Sequence, residues 1–114
     1  MMKVLIVDDN EEVRRVVADS LPETVEEIYE CEDGAEAFVV YEKHQPDWVL
    51  IDWQMNRTDG ITAIRQIKSV YPNAHICLVT AFDSDELRDE ALAAGAEGFV
   101  LKDDLFELED ILEV

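Results

Sequence analysis

Short apolar segments recur along the chain and predict the strands of one sheet. Four of them are unbroken rather than alternating, which is typical of strands covered on both faces of a parallel sheet. A fifth segment, Val25 to Cys31, contains three glutamates, and this polarity favours a strand at the edge of the sheet. The four unbroken segments are Val4 to Val7, Trp48 to Ile51, Ile76 to Val79 and Phe99 to Leu101.

Apolar residues three or four positions apart predict a helix after each strand. Asn10 and Ser84 stand where N-caps are expected, and Asp33-Gly34-Ala35-Glu36 has the sequence of a capping box. Asp59-Gly60 precedes the third helix, and Gly95 is suited to end the fourth. The apolar stripes consist of Val13, Val16, Val17 and Leu21; Phe38 and Tyr41; Ile61, Ile64 and Ile67 with Val70 or Tyr71; Leu87, Ala91 and Ala94; and Leu105, Leu108, Ile111 and Leu112.

Strand and helix therefore alternate five times, which predicts an α/β fold with a doubly wound parallel sheet and helices on both faces. We expect the flavodoxin-like (βα)5 arrangement, with five strands in the order 2-1-3-4-5. The pattern runs without a linker or a repeat, so a single domain over residues 1–114 is expected. Apolar residues make up 48% of the chain, enough to bury a core.

The charge balance narrows the classes of partner. The chain has 9 Lys and Arg against 28 Asp and Glu, a net charge of −19. Such a surface repels phosphate backbones and anionic lipids, so we expect no direct binding to nucleic acid or to a membrane. Cys31 and Cys77 are far apart and lack zinc-ligand spacing, and Cys77 lies in an apolar run. The first apolar run is too short for a signal peptide or a membrane span, which favours a cytoplasmic location.

Polar residues follow four of the five predicted strands. Asp8-Asp9 come after the first strand, Asp52 after the third, Thr80 after the fourth and Lys102 after the fifth. Ligands of doubly wound sheets bind outside the carboxyl ends of the strands, at the point where the strand order reverses. In the order 2-1-3-4-5 that point lies between the first and third strands. We therefore expect the three aspartates to converge in one crevice, with the threonine and the lysine beside them.

A cluster of three carboxylates predicts a bound cation, because the negative charges repel one another unless something positive neutralises them. Mg²⁺ binds through one or two carboxylates, waters and a phosphate oxygen, which leaves a carboxylate oxygen free as a nucleophile toward phosphorus. Lys102 and Thr80 supply the further charge and hydroxyl that phosphoryl transfer uses. By contrast, Asp33, Asp59 and Asp104 are interpreted as ordinary turn or cap residues.

These residues match a known family. Over essentially all 114 residues the chain resembles the receiver domain of two-component response regulators, such as single-domain chemotaxis regulators. Its last motif is similar to receivers that precede helix-turn-helix output domains. The matching motifs are VLIVDDN at Val4 to Asn10, Asp33-Gly34, LIDWQM at Leu50 to Met55, Asp59-Gly60, LVTA at Leu78 to Ala81, and GAEGFVLKDD at Gly95 to Asp104.

The resemblance implies two-component phosphorelay signalling, in which a sensor histidine kinase or phosphotransfer protein phosphorylates Asp52 in a Mg²⁺-dependent reaction. Asp9 and Asp52 would ligate the metal directly with the backbone carbonyl of Gln54, and Asp8 would act through a metal-bound water. Lys102 would pair with Asp52 at rest and with the phosphoryl group afterwards. The protein would be a phosphoacceptor switch and not an enzyme with an external substrate.

The resemblance also implies an output mechanism. Thr80 would be the hydroxyl switch and Phe99 the aromatic rotamer switch. Their movement would reshape the surface of the fourth helix, fifth strand and fifth helix, where a downstream protein or a second copy of the chain could dock. That surface is expected to include Leu87, Arg88, Ala91, Phe99, Leu101 and Leu105.

The chain departs from the family at a few positions. Asn56 and Asp103 stand where the family often has proline, and without proline a cis bond after Lys102 is not expected. Gln54 and Phe82 occupy positions that tend to tune dephosphorylation in this family.

Two alternatives compete with this interpretation. A phosphatase of the haloacid dehalogenase type needs a second Asp two residues after the nucleophile, and position 54 is Gln. A receiver-like interaction module that does not use phosphorylation would keep the fold without the chemistry. Phosphate transfer from a small phosphodonor would distinguish a phosphorylated receiver from an interaction module of this kind.

Overall fold

A computed structural model describes residues 2–112 and contains a five-stranded parallel sheet with helices on both faces. The strand order is β2-β1-β3-β4-β5, which confirms the predicted topology and places the glutamate-rich strand at an edge. The elements are β1 (Met2–Val7), α1 (Glu11–Asp19), β2 (Val25–Cys31), α2 (Gly34–His44), β3 (Trp48–Ile51), α3 (Gly60–Val70), β4 (Ile76–Thr80), α4 (Asp85–Ala94), β5 (Gly98–Leu101), a 3₁₀ helix (Lys102–Glu107) and α5 (Leu108–Leu112).

The core consists of two apolar layers, one on each face of the sheet. Val4 and Ile6 of β1 point into the layer beneath α1 and α5, whereas Leu5 and Val7 point into the layer beneath α2, α3 and α4. Successive residues of a strand face opposite sides of the sheet. Since helices cover both sides, all four side chains are buried. The two covered faces explain why the central strands are apolar without interruption.

The predicted N-caps are confirmed. The Asn10 side chain accepts hydrogen bonds from the N–H groups of Glu12 and Val13, and Asp59 and Ser84 cap α3 and α4 in the same way. Asp33 caps α2, but the predicted capping box is incomplete. The carboxylate of Glu36 accepts from the N–H of Glu32 at 3.4 Å rather than from that of the cap residue.

One member of the predicted α1 stripe was wrong. Val16 is 54% exposed, and the neighbouring Arg14 is buried beside Val17 instead. The reason is a pair of acceptors beneath the helix, one directly after β1 and one on β2. Arg14 donates from Nη1 to the backbone oxygen of Asp8 at 2.7 Å and from Nε to the carboxylate of Glu30 at 2.9 Å.

Two other helices differ in detail from the sequence pattern. Of the alternatives at the end of α3, Tyr71 is partly buried and Val70 is exposed. Leu105 precedes α5 and belongs to the 3₁₀ helix, because Asp104 has a non-helical backbone with φ −121° and ψ 37°.

Cys31 and Cys77 are buried free thiols, and burial raises the pKa of each to about 12. The peptide bond between Lys102 and Asp103 is trans, as expected, and so are the other peptide bonds within residues 2–112. In that same part of the chain, no helix has both the length and the apolar character needed to cross a membrane.

Candidate functional site at the carboxyl edge of the sheet

Three carboxylates meet where β1 and β3 end. One oxygen from each of Asp8, Asp9 and Asp52 lies within 4.8 Å of the others. The strands bring them together because Val7 pairs with Ile51 in register, and the N–H of Asp52 donates to the Val7 oxygen at 2.9 Å. The residues that follow the two strands are therefore side by side, as the sequence predicted.

Lys102 supplies a positive charge to this cluster. Its Nζ lies 2.9 Å from Oδ2 of Asp8 and 3.4 Å from Oδ1 of Asp52. The pairing with Asp52 expected from the resemblance is therefore shared, and the shorter contact is to Asp8. Lys102 reaches both because it begins the 3₁₀ helix directly after β5, at the same edge of the sheet.

The pKa values of Asp52 and Lys102 are both raised, by different causes. Asp52 is 8% exposed, and burial followed by the charge of Asp8 raises its pKa to about 6, although Lys102 opposes the shift. Burial alone would lower the pKa of Lys102, but its hydrogen bond to Asp8 and the charges of both aspartates outweigh burial and raise it. The three carboxylates are thus only partly neutralised by the one ammonium group.

This donor set fits a hard divalent cation. Mg²⁺ prefers oxygen ligands and binds through few carboxylates while keeping several waters. The carboxylate oxygens of Asp8, Asp9 and Asp52 are close enough to share one ion. Burial and the charge of Asp8 raise the pKa of Asp52, and a cation bound beside it would favour the ionised carboxylate.

An open cleft of about 650 Å³ gives access to the cluster. Gln54 and Phe82, the positions expected to tune dephosphorylation, both line it. Asp8 is buried below the cleft. The lining residues are Asp9, Asp52, Trp53, Gln54, Met55, Asn56, Asp59, Ala81, Phe82 and Lys102.

Thr80 lies below this surface instead of within it. The side chain is fully buried at the end of β4, and its Oγ1 accepts the N–H of Phe82 at 3.2 Å. The expected switch hydroxyl is therefore already hydrogen-bonded to the loop that leads into α4.

The predicted docking surface is partly wrong. Leu87, Ala91 and Phe99 are buried, because α4 turns its apolar stripe toward the sheet. Phe99 is further covered by Arg88, whose guanidinium carbon lies 4.6 Å from the ring centroid. The exposed large apolar side chain on α4 is Leu92, and Phe106 is exposed on the 3₁₀ helix.

Sequence reasoning missed two residues that shape the site. Arg14 holds the backbone oxygen of Asp8, and its position inside an apolar stripe was the available signal. Asp33 binds the loop after β3 in addition to capping α2. No sequence signal pointed to that contact, because the residues lie 24 and 25 positions apart.

Gly60 allows α3 to start directly against the end of β3. A Cβ at this position would lie 2.1 Å from the backbone oxygen of Asp52. The N–H of Gly60 also donates to the Trp53 oxygen at 2.7 Å. The glycine is thus required by a close backbone approach at the site itself.

A family model for the response regulator receiver domain matches residues 4–113. The chain belongs to the response regulator receiver domain family. It is 36% identical over 112 residues to the chemotaxis protein CheY of Bacillus subtilis, covering 97% of this chain and 92% of that protein. It is 38% identical over 100 residues to CheY of Halobacterium salinarum, covering 88% of this chain and 83% of the relative. The response regulator MprA of Mycobacterium sp. is 34% identical over 111 residues, covering 97% of this chain and 47% of the regulator.

Solved receiver structures have the same fold. CheY4 of Vibrio cholerae superimposes with a TM-score of 0.88 at 29% identity, covering 99% of this chain and 97% of that one. The CheX–CheY–BeF3–Mg²⁺ complex of Borrelia burgdorferi gives a TM-score of 0.84 at 25% identity, covering 99% and 90%. This receiver domain therefore functions in two-component phosphorelay signalling, and receivers bind Mg²⁺ at an acidic site of this kind.

Proposed function

We propose that residues 1–114 form one receiver domain that accepts a phosphoryl group on Asp52 from a phosphohistidine of a sensor histidine kinase or phosphotransfer protein. A carboxylate oxygen of Asp52 forms the new bond to phosphorus. The phosphorus–nitrogen bond of the donor breaks, and the imidazole leaves and takes up a proton. The observation that carries the proposal is the convergence of Asp8, Asp9 and Asp52 on Lys102 at one edge of the sheet.

The proposed ligands of Mg²⁺ are Asp9, Asp52 and the backbone carbonyl of Gln54, with Asp8 acting through a metal-bound water. The cation supplies charge neutralisation and a template for the phosphoryl oxygens. The carboxylate spacing within 4.8 Å and the place of Gln54 in the cleft lining support this set.

Lys102 and Thr80 are proposed to receive the phosphoryl oxygens. The Nζ of Lys102 lies between two carboxylates. One of its N–H groups can therefore donate to a phosphoryl oxygen while another still donates to Asp8. Thr80 is fully buried, so its side chain must move before its O–H can donate to another phosphoryl oxygen. Its movement opens space into which Phe99 is proposed to rotate, which changes the surface of α4, β5 and α5.

We propose that a downstream protein or a second copy of the chain reads that surface. The Borrelia burgdorferi CheY is seen with CheX together with BeF3 and Mg²⁺, and MprA is a response regulator about twice as long as this chain. The CheX–CheY complex supports a protein as the partner. The chain then acts as a phosphoacceptor switch and has no separate substrate.

Mass spectrometry after incubation with acetyl phosphate and Mg²⁺ tests the proposal. Wild-type protein should gain one phosphoryl group, and Asp52→Asn should gain none because the nucleophile is missing. Asp59→Asn is the matched control: it makes the same change in the same cleft, keeps a good N-cap and should be labelled normally. Full labelling of Asp52→Asn would reject the site. Unlabelled wild type would favour an interaction module that does not use phosphorylation.

A further inference from the structure

Asp33 is a buried carboxylate that joins two parts of the chain. It follows the end of β2, is only 3% exposed and caps α2 through Oδ1, which accepts the N–H of Ala35 at 2.9 Å. Its second oxygen, Oδ2, accepts the N–H of Arg57 at 2.8 Å and that of Thr58 at 3.1 Å. Both donors belong to the loop between β3 and α3.

The cap alone does not explain this arrangement. The N-cap side chains of α1, α3 and α4 accept only N–H groups of their own helices. Burial would raise the pKa of Asp33, but the three backbone N–H donors and the charge of Arg57 outweigh burial and lower it. The carboxylate is therefore ionised at neutral pH, and hydrogen bonds to an ionised acceptor are stronger than neutral ones.

The loop held by Asp33 forms one wall of the acidic cleft. We define the β3–α3 loop as residues 53–59, of which residues 53–56 and Asp59 line the cleft. Its first residue is fixed by the bond from the Gly60 N–H to the Trp53 oxygen. The far side of the loop is fixed by Asp33.

Close packing at the start of α2 supports the same contact. A Cβ on Gly34 would lie 2.9 Å from the backbone oxygen of Thr58 and 2.9 Å from Cβ of Ala63. The helix can therefore approach the β3–α3 loop closely enough for the Asp33 carboxylate to reach it. An exposed ion pair between Arg57 and Glu36, at 3.7 Å, joins the same two segments at the surface.

We propose that Asp33 is a positioning residue for the metal site, because its carboxylate fixes the β3–α3 loop and thereby the backbone carbonyl of Gln54. This inference rests on the proposed function. Without the two long-range hydrogen bonds the loop has to become ordered when the cation binds, and the conformational entropy lost then weakens binding. Groups that orient metal ligands typically account for a 10- to 100-fold change in affinity.

Asp33→Ser separates the two roles of this side chain. Serine is a good N-cap, so α2 keeps its capping bond, but the shorter side chain cannot also reach Arg57 and Thr58. Titration calorimetry should show about tenfold weaker Mg²⁺ binding to this variant. Glu36→Gln is the matched control, because it removes the surface ion pair to the same loop and leaves Asp33 unchanged. Its Mg²⁺ affinity should stay within about twofold of wild type, since an exposed ion pair contributes little.

Amide hydrogen exchange without Mg²⁺ supplies a readout that does not depend on the metal. Asp33→Ser should lose protection at Arg57 and Thr58, while the β3 amides of Val49 and Leu50 stay protected and show that the fold is intact. Unchanged protection of the loop amides would overturn the inference, and so would wild-type Mg²⁺ affinity in a variant whose loop is unprotected. If Asp33→Ser does not fold, Asp33→Thr takes its place with the same two criteria, because threonine is also an N-cap and is too short to reach the loop. Wild-type protein without any Mg²⁺ response would contradict the proposed function, and loop exchange would still decide whether Asp33 holds the loop.

Discussion

The indole of Trp53 and the phenyl ring of Phe82 meet edge to face at the acidic cleft, with ring centroids 5.1 Å apart and an interplanar angle of 89°. Trp53 directly follows Asp52, and the backbone N–H of Phe82 is bonded to Oγ1 of Thr80. A single aromatic contact therefore joins the segment after the proposed nucleophile to the segment after the proposed switch residue. A change at Asp52 or at Thr80 should therefore alter the surroundings of the indole.

The first prediction concerns tryptophan fluorescence. Mg²⁺ should change the emission of the protein, and phosphorylation should change it further, because Trp53 lies in the cleft against Phe82. Trp48 is buried at the start of β3 and packs on His75, with ring centroids 5.3 Å apart. Trp53→Phe should thus abolish most of the response, and Trp48→Phe should leave it. The reverse result would contradict the placement of the indole at the site.

A second prediction concerns stabilisation by Mg²⁺. The cation should raise the melting temperature because it relieves repulsion among Asp8, Asp9 and Asp52. At a free concentration about 100 times the dissociation constant, linkage gives roughly 2.7 kcal/mol. Asp9→Ala should remove most of this response in a thermal melt with and without Mg²⁺. If the variant responds as wild type does, Asp9 is not a ligand.

A third prediction follows from the pKa of Asp52, raised from 3.8 to about 6 in the folded protein. Between those values the folded state holds the proton more tightly than the unfolded state does, so this group's contribution to stability falls as pH rises through that window. Two pKa units correspond to about 3 kcal/mol, an order-of-magnitude figure. In EDTA, Asp52→Asn should therefore gain stability over wild type as pH rises from about 4 to about 6, and keep the gain above it. Urea unfolding of both proteins across this range measures the difference in unfolding free energy. If that difference does not change with pH, the charged form of Asp52 does not destabilise the folded protein.

Gly60→Ala is the fourth prediction. The added methyl would meet the Asp52 backbone oxygen at 2.1 Å, so β3 or α3 must shift. We expect a loss of roughly 1–3 kcal/mol in unfolding free energy, which is typical of overpacking and exceeds what alanine gains in helix propensity. Thr62→Ala, an exposed change on the same helix, is the control and should be nearly neutral. Equal stability of Gly60→Ala and wild type would contradict the close approach.

The strands were largely predictable, since four of them contain runs of buried apolar residues and β2 has the polarity of an edge strand. The predicted bounds Val25–Cys31 and Trp48–Ile51 agree with those observed. The other strands extend further, to include Met2, Lys3, Thr80 and Gly98. Lys3, Thr80 and Gly98 continue the hydrogen-bonded ladder although none of them has an apolar side chain, and a hydropathy pattern does not register backbone pairing.

The acidic cluster was predictable for a different reason. Parallel strands in one sheet end at a common edge, so residues that follow β1, β3 and β5 must lie near one another. The contact between Asp33 and Thr58 depends instead on where a distant loop folds back, and no local pattern encodes it. Leu87 and Ala91 illustrate a third case, because a stripe that packs on the sheet cannot also form a docking surface.

The last prediction concerns how phosphorylation reaches the output surface. The hydroxyl of Thr80 is fully buried and accepts the N–H of Phe82, so the side chain must move before its O–H can donate to a phosphoryl oxygen. The segment that carries Phe82 leads into α4, and Phe99 lies beside β4, where Leu78 pairs with it in register. Thr80→Ala should therefore still be phosphorylated on Asp52, but its response beyond the site should be weak.

Backbone amide chemical shifts of residues 84–110, recorded with and without phosphorylation, measure this response. Wild type should show shifts that extend across α4 and β5, whereas Thr80→Ala should show changes confined to the cleft. Thr80→Ser retains the hydroxyl at the same position and should restore most of the wild-type pattern. If Thr80→Ala moves these amides as far as wild type does, coupling runs through another element of the site. Lys102 is then the next residue to test, because its Nζ contacts both Asp8 and Asp52 and its backbone begins the segment directly after β5.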